Sequence, residues 1–242
     1  MATKCSNCPL QRSDVFVDLT EDEIKFMQKF KVGELEVNPG TPLLMEGSNS
    51  PQLYTALRGM GLRYKTLENG NRQVINFVFP GDFIGLQAGI MGEMQHSVEA
   101  TSPMTLCVFD RSEFWHFFKT HPERAFDLTW MAAAEEHFLG EALASVGQRT
   151  AYEAIAWALC KIMLRGQALG LARDRVMPLP YRQQDLADAL GLSLVHTNKT
   201  LSKLRTRQLA NWNDDALIVN DLGELAKAAS MTLEPLMKRP IM

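Results

Sequence analysis

Apolar positions along this chain change period more than once, and each change marks off a part. Over residues 20–30 (TEDEIKFMQKF) Ile24, Met27 and Phe30 recur at helical spacing, and Thr20 with Glu23 makes a capping box, so a short helix is predicted. From 34 to 109 short apolar runs alternate with Pro39-Gly40, Glu46-Gly47, Asn69-Gly70 and Pro80-Gly81, turn signals roughly ten residues apart. That pattern predicts a small antiparallel barrel or roll. Residues 111–121 read as a short helix, and Pro122 suits the first turn of the next one.

Over 123–146 Leu128, Met131, Glu135, Phe138, Ala142 and Val146 recur every three or four residues in an Ala-rich run without proline, which predicts one long helix. It is too long for a connector. We expect it to pair with a second copy along a two-fold seam, with packing on its own domain as the alternative. Residues 151–164 predict a further helix and 166–179 a connection.

The next stretch is the most informative. Residues 182–190 (RQQDLADAL) form a short amphipathic helix, Gly191 breaks it, and Ser193 caps a second helix through Thr206. Leu186, Ala187, Leu190, Leu192, Leu201 and Leu204 would be the shared core of a helix-turn-helix, with Thr197 and Thr200 standing where apolar residues are usual. In such a unit the second helix enters the major groove and its leading residues meet base edges. Ser193, Leu194, Val195, His196, Asn198, Lys199 and Lys203 are therefore the candidate DNA-binding residues. Beyond them 209–212, the Asn213-Asp214-Asp215 turn and 216–219 read as a two-stranded wing.

Composition narrows the function classes. Of 242 residues 46% are hydrophobic and 22% charged, ordinary for a globular protein, and no apolar run approaches the roughly 18 residues of a membrane span. Residues 1–12 lack the apolar core of a signal peptide, so a cytoplasmic protein is expected. The net charge of −3 excludes a diffuse polycation, yet 191–211 carries Lys199, Lys203, Arg205 and Arg207 with no Asp or Glu. That local excess suits phosphate contacts, although a solvated helix face has the same appearance. No GxSxG, HExxH, phosphate loop or dinucleotide fingerprint is present, so no enzyme is expected. The rival from another class is a redox enzyme built on Cys5-Ser-Asn-Cys8, but that pair lacks the βαβ setting such a dithiol needs.

The order of parts, with Pro80-Gly-Asp-Phe-Ile-Gly85 in the roll and Leu186-Ala-Asp-Ala-Leu-Gly-Leu-Ser193 in the helical hairpin, resembles the Crp/Fnr superfamily of bacterial transcription regulators over nearly the whole length. The resemblance implies an α+β fold: an N-terminal antiparallel β-roll of the cyclic-nucleotide-binding type over 1–121, a dimerisation helix over 122–148, and a winged helix-turn-helix over 149–242. It also implies a homodimer on a two-fold operator in double-stranded DNA, with RNA polymerase as a further partner and no membrane. Relatives commonly carry a Glu on the leading face and an Arg four residues later; here those places hold Val195 and Lys199.

Two sensor chemistries follow from the resemblance. Cyclic-nucleotide-binding relatives have a Glu just after the Gly of the roll turn and an Arg-Ser or Arg-Thr pair for the phosphate. This chain has Leu86 or Gln87 and His96-Ser97, so no cyclic nucleotide is expected, because the bidentate guanidinium is missing. Oxygen-sensing relatives hold a four-iron, four-sulfur cluster on an N-terminal cysteine group and one distant cysteine. Cys5 and Cys8 match the close pair and Cys107 the distant one, while Asp14 stands six residues after Cys8 in place of a third N-terminal thiol. Three readings stay open: an iron–sulfur cluster on Cys5, Cys8, Cys107 and Asp14, a thiol-disulfide switch, or inert remnants in a regulator that answers to another small molecule. Cys160, on an apolar helix face, is expected to be a buried structural thiol.

Overall fold

The computed structural model describes residues 2–213, 215–235 and 237–242. Asp214, in the expected wing turn, lies outside the described residues. The chain divides into two compact units, one of Met1–Asn71, Ile75–Glu135 and Lys238–Met242, the other of Arg72–Val74 and Glu136–Met237.

In the first unit the capping box forms as its residues dictate: Thr20 Oγ1 accepts from Glu23 N at 3.3 Å, Glu23 Oε2 accepts from Thr20 N at 2.8 Å, and α1 runs Glu21–Phe30. Eight strands follow: β1 (Lys31–Val37), β2 (Pro42–Leu44), β3 (Gln52–Arg58), β4 (Gly61–Thr66), β5 (Arg72–Val78), β6 (Phe83–Ile84), β7 (Ser97–Ala100) and β8 (Met104–Asp110). They make two four-stranded sheets, ordered β1-β8-β3-β6 and β2-β7-β4-β5, with α2 (Leu86–Met91) between β6 and β7. The core between them draws on both, through Tyr54, Ala56, Leu106 and Val108 of one and Leu44, Val78, Val98 and Ala100 of the other. Each fully buried large apolar side chain contributes about 1.5 to 3 kcal/mol.

Helix α3 (Phe114–Thr120) adds Phe114 and Phe117 to an aromatic cluster with Phe30 and Phe109, the Phe30 and Phe109 ring centroids lying 5.1 Å apart. The turn at Pro80-Gly81 admits only glycine for two reasons. Its φ is +88°, and a Cβ would stand 2.2 Å from the ring of Phe16. Next to it Asp82, 5% exposed, accepts from Phe79 N at 2.9 Å and from Arg239 Nη2 at 3.0 Å. Part of the motif that carries the resemblance thus anchors the last residues of the chain.

Helix α4 is one helix of 27 residues, Pro122–Gln148. In the second unit α5 (Ala151–Ala168) supplies the buried spine, and α6 (Gln183–Leu190), α7 (Leu194–Thr206) and α8 (Leu222–Ala228) surround it. Two expectations need correction here. Residues 166–179 are not a mere connection, because α5 continues to Ala168 and Val176–Pro178 forms strand β9. Gly166 does not break the helix; it makes room, since a Cβ there would lie 2.2 Å from Met177 Sδ. The wing accordingly has three strands, β10 (Ala210–Asn213) and β11 (Ala216–Val219) joined by β9 in the order β10-β11-β9.

Candidate nucleic-acid interface and sensor sites

Gly191, at φ +65° with its N–H donated to Ala187 O, turns the chain between α6 and α7. Ser193 Oγ then accepts from His196 N at 3.2 Å and starts α7. Leu186, Ala187, Leu190 and Leu204 are buried and Leu192 and Leu201 half-buried, as a shared hairpin core requires. Thr197 is fully buried and Thr200 nearly so, which places their methyl groups in that core. The Thr197 hydroxyl has no hydrogen-bond partner among the described residues.

The opposite face of α7 is open. Leu194, Val195, His196, Asn198, Lys199 and Lys203 are all exposed, Val195 by 80%. Of these Val195, His196, Lys199 and Lys203 line, with Ser193, a groove that runs between α7, the first turn of α5 and the end of α8. Tyr152 of α5, which the sequence did not single out, stands in that groove beside Lys203 and Arg207.

The first unit carries two candidate sites. At the roll turn His96 is half-buried, and burial, reinforced by Arg63, holds its imidazole down at about 4. It is neutral at physiological pH. Ser97 Oγ is already used, accepting from Glu46 N at 3.0 Å. Arg63, whose guanidinium acts on His96, is held by Glu135 of α4 at 3.2 Å and by the Phe83 carbonyl at 3.0 Å, and Asn76 Nδ2 donates to the same carboxylate at 2.9 Å. A neutral imidazole, an occupied hydroxyl and a paired arginine do not fit a cyclic phosphate.

The second site gathers the cysteines expected to act together. Cys107 of β8 is paired in register with Glu34 of β1 and Thr55 of β3. The half-buried Cys5 and Cys8 lie close enough to influence its ionisation. Burial pushes all three thiols up, Cys107 to about 12, so each is protonated at neutral pH. Among them stands Lys31, its side chain 3% exposed, donating to Thr3 O at 2.7 Å and Glu34 Oε1 at 2.7 Å. Asp14 is exposed, and among the described residues no three His, Cys, Asp or Glu side chains are grouped to hold a metal ion. An ammonium donates and does not ligate, so the residues as placed do not fit a four-iron, four-sulfur centre. Cys160, in α5 of the second unit, is fully buried and likewise pushed up to about 12 by burial.

Comparison with known proteins agrees with this geometry. Residues 34–121 match the cyclic nucleotide-binding domain model and 153–228 the Crp-like helix-turn-helix domain model. The nitrogen fixation regulation protein FixK of Bradyrhizobium diazoefficiens is 30% identical over 200 residues, 83% of each chain. The transcriptional activator protein FnrL of Cereibacter sphaeroides is 26% identical over 230 residues, covering 93% of this chain and 92% of its own. The structure of FixK2 from Bradyrhizobium japonicum superposes with a TM-score of 0.72 at 23% identity, covering 84% of this chain and 98% of that one, and so shares the fold. These relatives are regulators and not enzymes, which disposes of the dithiol oxidoreductase alternative. With an antiparallel roll, a long helix and a DNA-binding helix-turn-helix in this order, the chain belongs to the Crp/Fnr family of transcription regulators.

Proposed function

We propose that the chain acts in the cytoplasm as a homodimer on a two-fold operator, reading bases with Val195, Asn198 and Lys199 and recruiting or blocking RNA polymerase there. The observation that carries this reading is the solvent-open stripe of α7, capped by Ser193 and backed by a buried core. Val195 offers only an apolar contact, suited to a thymine methyl; Lys199 donates to guanine O6 or N7, and Asn198 matches adenine. The operator therefore differs from the family's common one at the base a Glu would read. Selection of sites from random DNA tests it. Lys199→Ala should relax preference at one base pair at a cost of about 1 to 3 kcal/mol and leave the others intact. An unchanged preference at every position would mean that α7 does not read bases this way.

For the signal, we infer a response to oxygen or redox state through Cys5, Cys8 and Cys107. The gathering of three thiols around one buried ammonium favours this over a cyclic nucleotide. Its iron–sulfur form needs Asp14, or another donor, to be brought to the thiols, because Lys31 cannot serve. Protein prepared without air distinguishes the forms. A broad brown absorbance with bound iron and sulfide supports the cluster, while colourless protein that loses two of these thiols to peroxide supports a disulfide switch. Colourless protein with inert thiols would end the redox reading.

A further inference from the structure

We propose that Tyr152 is a positioning residue of the DNA interface: its ring holds the Lys203 and Arg207 side chains together at the rim of the groove, where they take adjacent backbone phosphates. The proposal rests on the reading of α7 as the helix that enters the major groove.

Lys203 Nζ stands 4.9 Å from the centroid of the Tyr152 ring and Arg207 Cζ 5.2 Å from it. Arg207 Nη1 also donates to the Tyr152 hydroxyl at 3.3 Å. Lys203 in the last turn of α7 and Arg207, its C-cap, are four residues apart, a spacing at which like charges repel. Among the described residues neither forms an ion pair with a carboxylate. Two cations are thus kept side by side without a counter-anion, and the negative face of the ring offsets part of their repulsion. Such a pair is preorganised for an anion that arrives from outside.

The surroundings favour a phosphate strand. Lys199 lines the same groove, and α5 begins in it, so the positive end of that helix dipole adds to the field. The carboxylate in the groove, Glu153, is engaged: Thr150 N and Oγ1 donate to it at 2.9 and 2.8 Å, and Ser230 Oγ at 3.1 Å. The half-buried Tyr152 is held in place as the second residue of α5, whereas Lys203 and Arg207 are long, exposed side chains. Without the ring they would sample many rotamers and lose the paired geometry.

Binding of the full-length protein to its selected operator, measured against salt concentration, tests this. Tyr152→Leu keeps the apolar bulk but removes the π face and the hydroxyl. It should weaken every DNA sequence about tenfold at low salt and lower the slope of log affinity against log salt by about one to two. Tyr152→Phe, which keeps the ring, should stay within about threefold of wild type with its slope unchanged. In a background carrying Lys203→Ala and Arg207→Ala, Tyr152→Leu should cost nothing more. A Tyr152→Leu protein with the wild-type slope, or one that loses as much in that background as alone, would overturn the proposal and leave Tyr152 a packing residue. Wild-type protein whose binding does not depend on salt would instead sink the reading of the interface itself. If Tyr152→Leu fails to fold, the Tyr152→Phe comparison and the coupling between Lys203→Ala and Arg207→Ala decide. Additive losses in that pair would mean that nothing holds the two cations as a unit.

Discussion

At Thr197 the period of α7 calls for an apolar residue, and the chain supplies a threonine. The structure buries it completely and leaves its hydroxyl without a partner among the described residues. A buried hydroxyl that makes no hydrogen bond keeps its desolvation penalty. Thr197→Val, close in shape, is therefore expected to raise stability by about 1 kcal/mol, seen as a higher denaturant midpoint with the same slope. A lowered midpoint would show that the hydroxyl is satisfied after all. The exposed stripe of α7 was legible residue by residue, because a capping serine and the helical period alone decide which side chains face out. Lys31 was not legible. Only the pairing of β1 with β8 brings its ammonium to Cys107 and turns a cysteine pattern into three thiols around a cation.

Helix α4 was predicted as an element, and several of the residues expected at its seam pack within the chain. Leu128 is 2% and Met131 8% exposed, Phe138 stacks on Trp157 at 6.0 Å, and Glu135 holds Arg63. The large apolar residues left open on this helix are Phe126, Leu139, Leu143 and Val146, the last three at intervals of four and three residues, with Gly140 and Gly147 exposed beside them. Of the residues first expected at the seam only Val146 is among these. The period revealed a long helix with apolar faces, but it did not say which face the domain would take. If the helix pairs two copies, Leu139→Glu with Leu143→Glu should give folded monomers in sedimentation. Met131→Glu should instead lower stability by about 3 kcal/mol or more, through an unpaired buried charge. Dimers that survive the Leu139 and Leu143 changes would place the seam elsewhere.

Over the whole molecule, the segment Lys238–Met242 belongs to the first unit although it follows the second in sequence. Arg239 pairs with Phe16 in a parallel bridge, accepting from Val17 N at 2.9 Å and donating to Val15 O at 2.8 Å. Ile241 and Met242 are 4% and 3% exposed. Arg124 of α4, 2% exposed, donates to the Ile241 carbonyl while pairing with Asp127 at 2.7 Å, and Thr55 Oγ1 donates to Met242 O at 2.5 Å. Deleting 238–242 removes two buried apolar side chains and leaves Asp82 and Arg124 short of partners. It should lower the stability of the first unit by about 3 to 5 kcal/mol, measured by denaturant unfolding. Unfolding identical to the full chain would show the segment to be incidental. By itself the sequence determined what is local: the capped helices, the glycine turns of the roll, the helix-turn-helix with its exposed stripe, and the want of a guanidinium at His96. These rest on backbone preference and on the period of apolar residues over a few turns, which neighbours in sequence suffice to set. Only the tertiary structure decided which face of α4 stays open, that β9 joins the wing, that Lys31 stands among the thiols and that the last residues return to the first unit. Each of these depends on contacts between residues far apart in the chain, and local pattern carries no information about which distant surface a buried side chain will meet.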